Sequence, residues 1–172
     1  MNPSHLRLRA PLATAMDRFL EWSQLREIER HENVGLGAVA LSRDKRGFPK
    51  GISFNVAQIG DWTVFEEVSN GYLADTDAGD LAALAAGGDL VYIGYNDSVV
   101  WARWVVVTEG QVVFDFSYDT EVPECNWSRG SAPKEATEGV TDWVDVGAVM
   151  GEDEAQFFVD RGTLWILAPR SS

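Results

Sequence analysis

The residues best equipped for chemistry in this chain are carboxylates on strand-like segments: Glu66, Glu67, Asp97 and Asp115. Two carboxylates facing each other across a cleft can act as acid and base in glycoside hydrolysis, so these four define a hydrolase reading. The competing reading is that strand carboxylates simply face water, and spacing alone leaves their separation open. Asp75-Thr-Asp77-Ala-Gly-Asp80 echoes the acidic spacing of a calcium loop but lacks the twelfth-position Glu of an EF hand, with Gly87-Gly88 following. Helix capping accounts for those acids. His5 and His31 show no His-Glu-x-x-His or paired-His spacing and read as solvated, His5 in a mobile terminus. Cys125 sits in Pro123-Glu-Cys-Asn-Trp-Ser-Arg129, where neighbouring acids oppose the thiolate that a nucleophile needs.

Gly35-Leu-Gly37 has no third glycine and no following helix pattern, and no Gly-Lys-Ser/Thr phosphate loop occurs. Asn126-Trp-Ser128 matches a glycosylation sequon, which matters only in a secreted chain. No catalytic residue, metal or cofactor is assigned on these grounds, and the chain reads as a non-enzyme.

Charge is sorted along the length. Residues 1–50 hold nine Lys/Arg against six Asp/Glu, and residues 51–172 hold five against twenty-one, within a net charge of −13. A nucleic-acid binder gains affinity through clustered Lys/Arg that release counterions, and no such cluster follows Lys50, so nucleic acid and anionic membranes are disfavoured partners. A basic protein would be steered toward the acidic part. Solubility alone is the simpler account of the same acidity. The single Cys125 cannot form an internal disulfide, and Asp17, Arg18 and Glu21 interrupt any signal-peptide core. No run reaches the roughly 18 apolar residues of a membrane span, so a cytoplasmic protein is expected.

These candidates must be positioned by a fold, and 172 residues with 45% apolar content suffice for one core. Apolar residues from Leu12 to Ile28 recur at the helical period, which predicts one amphipathic helix over residues 11–32. A β-rich body follows over 35–118: strands at Leu36–Leu41, Ile52–Val56, Trp62–Phe65, Leu90–Tyr95, Val99–Thr108 and Gln111–Tyr118, with turns at Gly60-Asp61, Asn70-Gly71 and Glu109-Gly110. Leu81 to Ala86 reads as a short helix stopped by Gly87-Gly88. Val105-Val-Val107 is apolar on both faces and belongs inside the sheet. Residues 119–139 read as a long loop, and 140–172 as a short buried segment around Trp143 to Met150, a helix over 152–159 and a last strand at Thr163–Leu167. The expected fold is a single α+β domain, a curved antiparallel sheet with the N-terminal helix and short helices packed on it.

Trp127 stands out among the seven tryptophans because it lies in the polar loop, flanked by Glu121, Glu124 and Arg129. An aromatic anchor inside an acidic rim is a way of holding a cationic protein, with the carboxylates steering association and the indole burying apolar area. The expected interface is Asp115, Asp119, Glu121, Glu124 and Trp127. A Trp that merely tucks the loop onto the core fits the same residues.

Gly60-Asp-Trp-Thr-Val-Phe-Glu-Glu67, Asn70-Gly71, the Leu81 to Ala86 helix, Asp89-Leu-Val-Tyr-Ile-Gly-Tyr-Asn-Asp97 and Asn126-Trp-Ser-Arg-Gly130 together resemble small bacterial immunity proteins of polymorphic toxin systems, over residues 52–130. The resemblance implies a cytosolic protein that binds and neutralises a cognate toxin, and it carries over no catalytic residue. Many toxins acting on nucleic acids are basic, which agrees with the charge reading. A scaffold module docking through the long loop is the alternative, and the carboxylate hydrolase is the third.

Overall fold

A computed structural model of the chain describes residues 4–35, 37–68, 71–96, 98–133 and 142–170. In chain order the elements are β1 (Ser4–Leu8), α1 (Leu12–Ser23), β2 (Leu25–Val34), α2 (Ala38–Leu41), β3 (Ile52–Ile59) and β4 (Trp62–Glu67). There follow α3 (Ala78–Ala85), β5 (Leu90–Asn96), β6 (Trp101–Thr108), β7 (Gln111–Asp119), a 3-10 turn (Pro123–Cys125), β8 (Trp127–Gly130), α4 (Trp143–Phe157) and β9 (Gly162–Pro169). The nine strands form one open antiparallel sheet in the order β2-β9-β3-β4-β1-β5-β6-β7-β8. Among the described residues no helix is long and apolar enough to cross a membrane.

Local sequence explains the hairpins. Glu109 and Gly110 both take positive φ (50° and 75°), which matches the right-handed twist of the flanking β6 and β7. Alternation then sends successive side chains to opposite faces. One face carries Leu6, Phe54, Phe65, Tyr92, Val105 and Trp165 beneath α1 and α3. Phe19 of α1 is its hub, with ring centroids 5.0 Å from Phe54, 5.1 Å from Phe65 and 5.9 Å from Trp165. The other face carries Val91, Ile93, Trp104, Phe114 and Phe116 against Val146 and Met150 of α4. The run around Val105 does lie inside the sheet, between β5 and β7.

Four expectations are corrected. The helix expected over 11–32 ends at Ser23, where Gln24 turns left-handed (φ 56°), and Leu25–Val34 instead forms an edge strand on β9. Its charged alternation suits either period, and pairing with β9 decides between them. His5 is not in a mobile terminus: β1 is inserted between β4 and β5, and His5 is 5% exposed. The strand expected at 36–41 is the helix α2 from Ala38, with Leu36 outside the described residues. The buried segment and the helix expected after residue 140 are one helix, α4, started by a capping box in which Asp142 Oδ1 accepts from the Val144 and Asp145 amides. The loop at 119–139 contains the 3-10 turn and β8, while residues 134–139, like Asn70 and Asp97, lie outside the described residues.

Candidate partner-binding site

The last three strands set the site. In the β6–β7 pairing Arg103 stands opposite Ser117, and in the β7–β8 pairing Ser117 stands opposite Trp127 and Asp115 opposite Arg129. Residues opposite one another share a face, so Arg103, Asp115, Ser117, Trp127 and Arg129 gather on the α1/α3 side of the sheet. Arg103 Nη1 lies 2.9 Å from Asp115 Oδ1, with only 6% and 8% of the two side chains exposed. Two guanidinium groups lie within cation–π range of the Trp127 ring, Arg103 Cζ at 5.0 Å and Arg129 Cζ at 5.1 Å from its centroid.

Electrostatics make this cluster costly. Burial works against the Arg103 charge and lowers its pKa, while the Asp115 carboxylate pulls in the opposite direction. Arg103 Nε and Trp127 Nε1 are buried and make no hydrogen bond to the described residues. A buried ion pair with unmet donors contributes little to stability, yet removing one partner strands the other charge.

The turn beyond β7 is built differently. Asp119 Oδ1 accepts from the Glu121 amide at 2.7 Å and the Val122 amide at 3.2 Å, and the Asp119 amide donates to Asn126 Oδ1 at 2.6 Å. This side-chain staple, followed by the 3-10 turn that Pro123 opens, leaves Glu121 and Glu124 exposed, with no ion pair to the described residues.

The five residues expected at an interface therefore take three roles. Asp115 is corrected: its carboxylate lies inside the sheet's cover beside Arg103 and is not a landing group for a partner. Asp119 holds the turn, and Glu121 and Glu124 face solvent. Trp127 is half-buried, its ring occupied by the two arginines. Arg103 escaped the sequence reading, although one charge within Trp101-Ala-Arg-Trp-Val-Val-Val-Thr108 signals a buried cation that needs a carboxylate.

Among the described residues, Glu66, Glu67 and Asp115 of the hydrolase reading do not form a pair, and Asp97 lies outside them. Glu66 and Glu67 point to opposite faces as sequence neighbours in a strand. Glu67 shares the face of Asp115, but four interstrand steps at about 4.8 Å separate β4 from β7, roughly 19 Å against the 5–10 Å that acid–base pairs use. Glu67 is committed locally: Ser4 Oγ donates to it at 3.1 Å, the Tyr72 amide also donates, and burial raises its pKa against those bonds. Asp77, from the calcium-like spacing, caps α3 by accepting from the Gly79 amide at 2.7 Å. Comparison with models of known families, with curated proteins and with solved structures finds no match to this chain.

Proposed function

We propose that the chain is a protein-binding module whose partner is a basic protein. Within that class it is an immunity protein, which binds a cognate bacterial toxin and neutralises it. The observation that carries this reading is the stapled turn: Asp119 fixes the backbone that carries Glu121 and Glu124, and both side chains are exposed with no ion pair to the described residues. Exposed carboxylates on a fixed turn raise the encounter rate with a cation, and the fixed backbone reduces the ordering cost of docking. The adjoining edge strand, β8, presents backbone groups that a partner segment can pair with. The excess of acid over base after residue 50 extends the attraction beyond the turn.

The test is affinity capture from the native cell with the full chain as bait, followed by expression of the captured protein alone and together with the chain. The expected outcome is toxicity alone and rescue by co-expression. Glu121→Lys with Glu124→Lys should then slow association several-fold at low salt and flatten its salt dependence. An unchanged rate and salt slope would remove the turn from the interface, and a captured protein harmless by itself would remove the immunity role.

A further inference from the structure

Between α2 and β3 the chain turns through a short hairpin, residues 43–50, which holds Arg43, Lys45, Arg46 and Lys50 against one acid, Asp44. Asp44 folds it: Oδ1 accepts from the Arg46 amide at 2.8 Å and the Phe48 amide at 3.0 Å, and the Asp44 amide donates to the Phe48 carbonyl at 2.8 Å. Arg43 Nη1 donates to the Gly47 carbonyl at 2.7 Å, and Gly47 makes the turn with φ 85°. This bonded backbone leaves the Phe48 ring outside, 65% exposed, the most of any large apolar residue described. Lys45 and Arg46 beside it are exposed, with no ion pair to the described residues, whereas Lys50 is taken up by Glu29.

A fixed turn that keeps an aromatic ring in water beside two cations suits a surface that is anionic and partly apolar. The chain carries such a surface itself. At the turn after β7, Glu121 and Glu124 are exposed, and so are Val99 (44%) and Val122 (37%). The two valines belong to turns that touch: Thr120 Oγ1 donates to the Val99 carbonyl at 3.3 Å and the Thr120 amide to the Val100 carbonyl at 3.4 Å. Arg129, the exposed cation on the adjoining strand, lies over the Trp127 ring. Two cations and a ring on one surface thus match two carboxylates and two valines on the other. β3 and β8 are six interstrand steps apart, roughly 29 Å along the sheet at about 4.8 Å per step, so within one molecule the hairpin does not meet the turn. A second copy brings them together.

We propose that the hairpin of one copy docks on the acidic turn of another, with Phe48 against Val99 and Val122 and with Lys45 and Arg46 opposite Glu121 and Glu124. The contact joins two different patches, so it repeats head to tail into chains or a closed ring. One hairpin on one turn is smaller than the roughly 1,200 Å² of a stable interface, so the association is weak and transient. It competes for the turn with the basic partner proposed above, but it does not rest on that reading.

The experiment is sedimentation velocity of the full chain from micromolar to millimolar concentration, at about 50 mM and about 500 mM salt. The sedimentation coefficient should climb with concentration at low salt and much less at high salt. Phe48→Ala should weaken association about tenfold, and Lys45→Glu with Arg46→Glu, or Glu121→Lys with Glu124→Lys, should abolish it, all at exposed positions that spare the fold. Mixing the two charge-reversed chains should restore association, because each then meets the opposite charge in the other, a result that misfolding cannot produce. Phe48→Ala leaves the turn intact and should still capture the basic partner, so the two readings fail separately. A chain that stays monomeric throughout, association unchanged in Phe48→Ala, or a mixture that stays monomeric would overturn the proposal. So would Phe48-dependent cosedimentation of a monomeric chain with vesicles of anionic phospholipid, which assigns the hairpin to a membrane surface.

Discussion

At the β2 edge of the sheet every carboxylate on the strand meets a donor. Glu27 accepts from Arg30 and from the Trp165 indole at 2.7 Å, Glu29 from Lys50 at 2.8 Å and from His31, and Glu32 from Thr163 at 2.7 Å. At the β8 edge the pattern inverts: Arg103 is buried against Asp115, the exposed Arg129 lies over the Trp127 ring, and Glu121 and Glu124 are exposed. Density of charge along the chain therefore says little about where charge is available. A long edge strand needs paired, alternating charges to refuse another strand. A four-residue edge beside a stapled acidic turn leaves Glu121 and Glu124 exposed, with no ion pair to the described residues.

The sharpest way to break this contrast is Arg103→Met, which strands the Asp115 carboxylate in a nearly sealed site. A loss of about 3–5 kcal/mol is expected in urea denaturation, with most of it recovered on adding Asp115→Leu. A loss under about 1 kcal/mol would mean that the β8 side is already solvated and resembles the β2 side. Next in size is Glu27→Ala, which removes the acceptor of the fully buried Trp165 indole and should cost about 1–3 kcal/mol. Glu27→Gln keeps an acceptor and should cost less; equal losses would assign the effect to Arg30 instead.

A pH series sharpens the contrast through the sign of two shifts. Burial opposes the charged form of Glu27, but its bonds from Arg30 and Trp165 outweigh that and hold its pKa below the ordinary value near 4.5. Its contribution is therefore complete above pH 4.5 and is lost as pH falls through the depressed value. Burial dominates at Glu67 and raises its pKa, so its contribution is present below 4.5 and is lost as pH rises through the raised value. Relative to the unchanged chain, Glu67→Gln should gain stability as pH climbs above about 4.5, and Glu27→Gln should lose it as pH climbs toward 4.5 from below. Slopes of one sign for both variants, measured by urea titration across that range, would contradict these environments. The smallest effect belongs to Glu121→Lys with Glu124→Lys, where stability should stay within about 0.5 kcal/mol. A larger change would show that those carboxylates support the fold and are not spare.

Much of the body was legible because it is local. Ile52–Ile59 and Trp62–Glu67 alternate around Gly60-Asp61, and Glu109-Gly110 supplies a turn that only residues tolerant of positive φ accept, so these hairpins announce themselves within a few residues. Asp77 and the alanines after it likewise specify α3 by propensity and capping. Three strands were missed: β1 and β2 owe their state to distant partners, Ser4–Leu8 pairing with β4 and β5 and Leu25–Val34 with β9, and the short β8 (Trp127–Gly130), read as loop, is fixed by pairing with β7. A window of ten residues carries no information about the partners of β1 or β2.

The candidate site divides along the same line. Asp119, Glu121, Glu124 and Trp127 could be picked out in sequence because a polar loop around a lone aromatic is a local pattern, and Glu121 and Glu124 are exposed for the same local reason. The fate of Asp115 depended on Arg103, twelve residues back and one strand over, because the register of β6 and β7 places both on one face and their burial makes each require the other. Composition and alternation thus settled that an acidic, mostly antiparallel body forms. Which of its carboxylates are spent within it and which stay exposed was decided only by tertiary structure, since pairing is set by distance in space and not by separation along the chain.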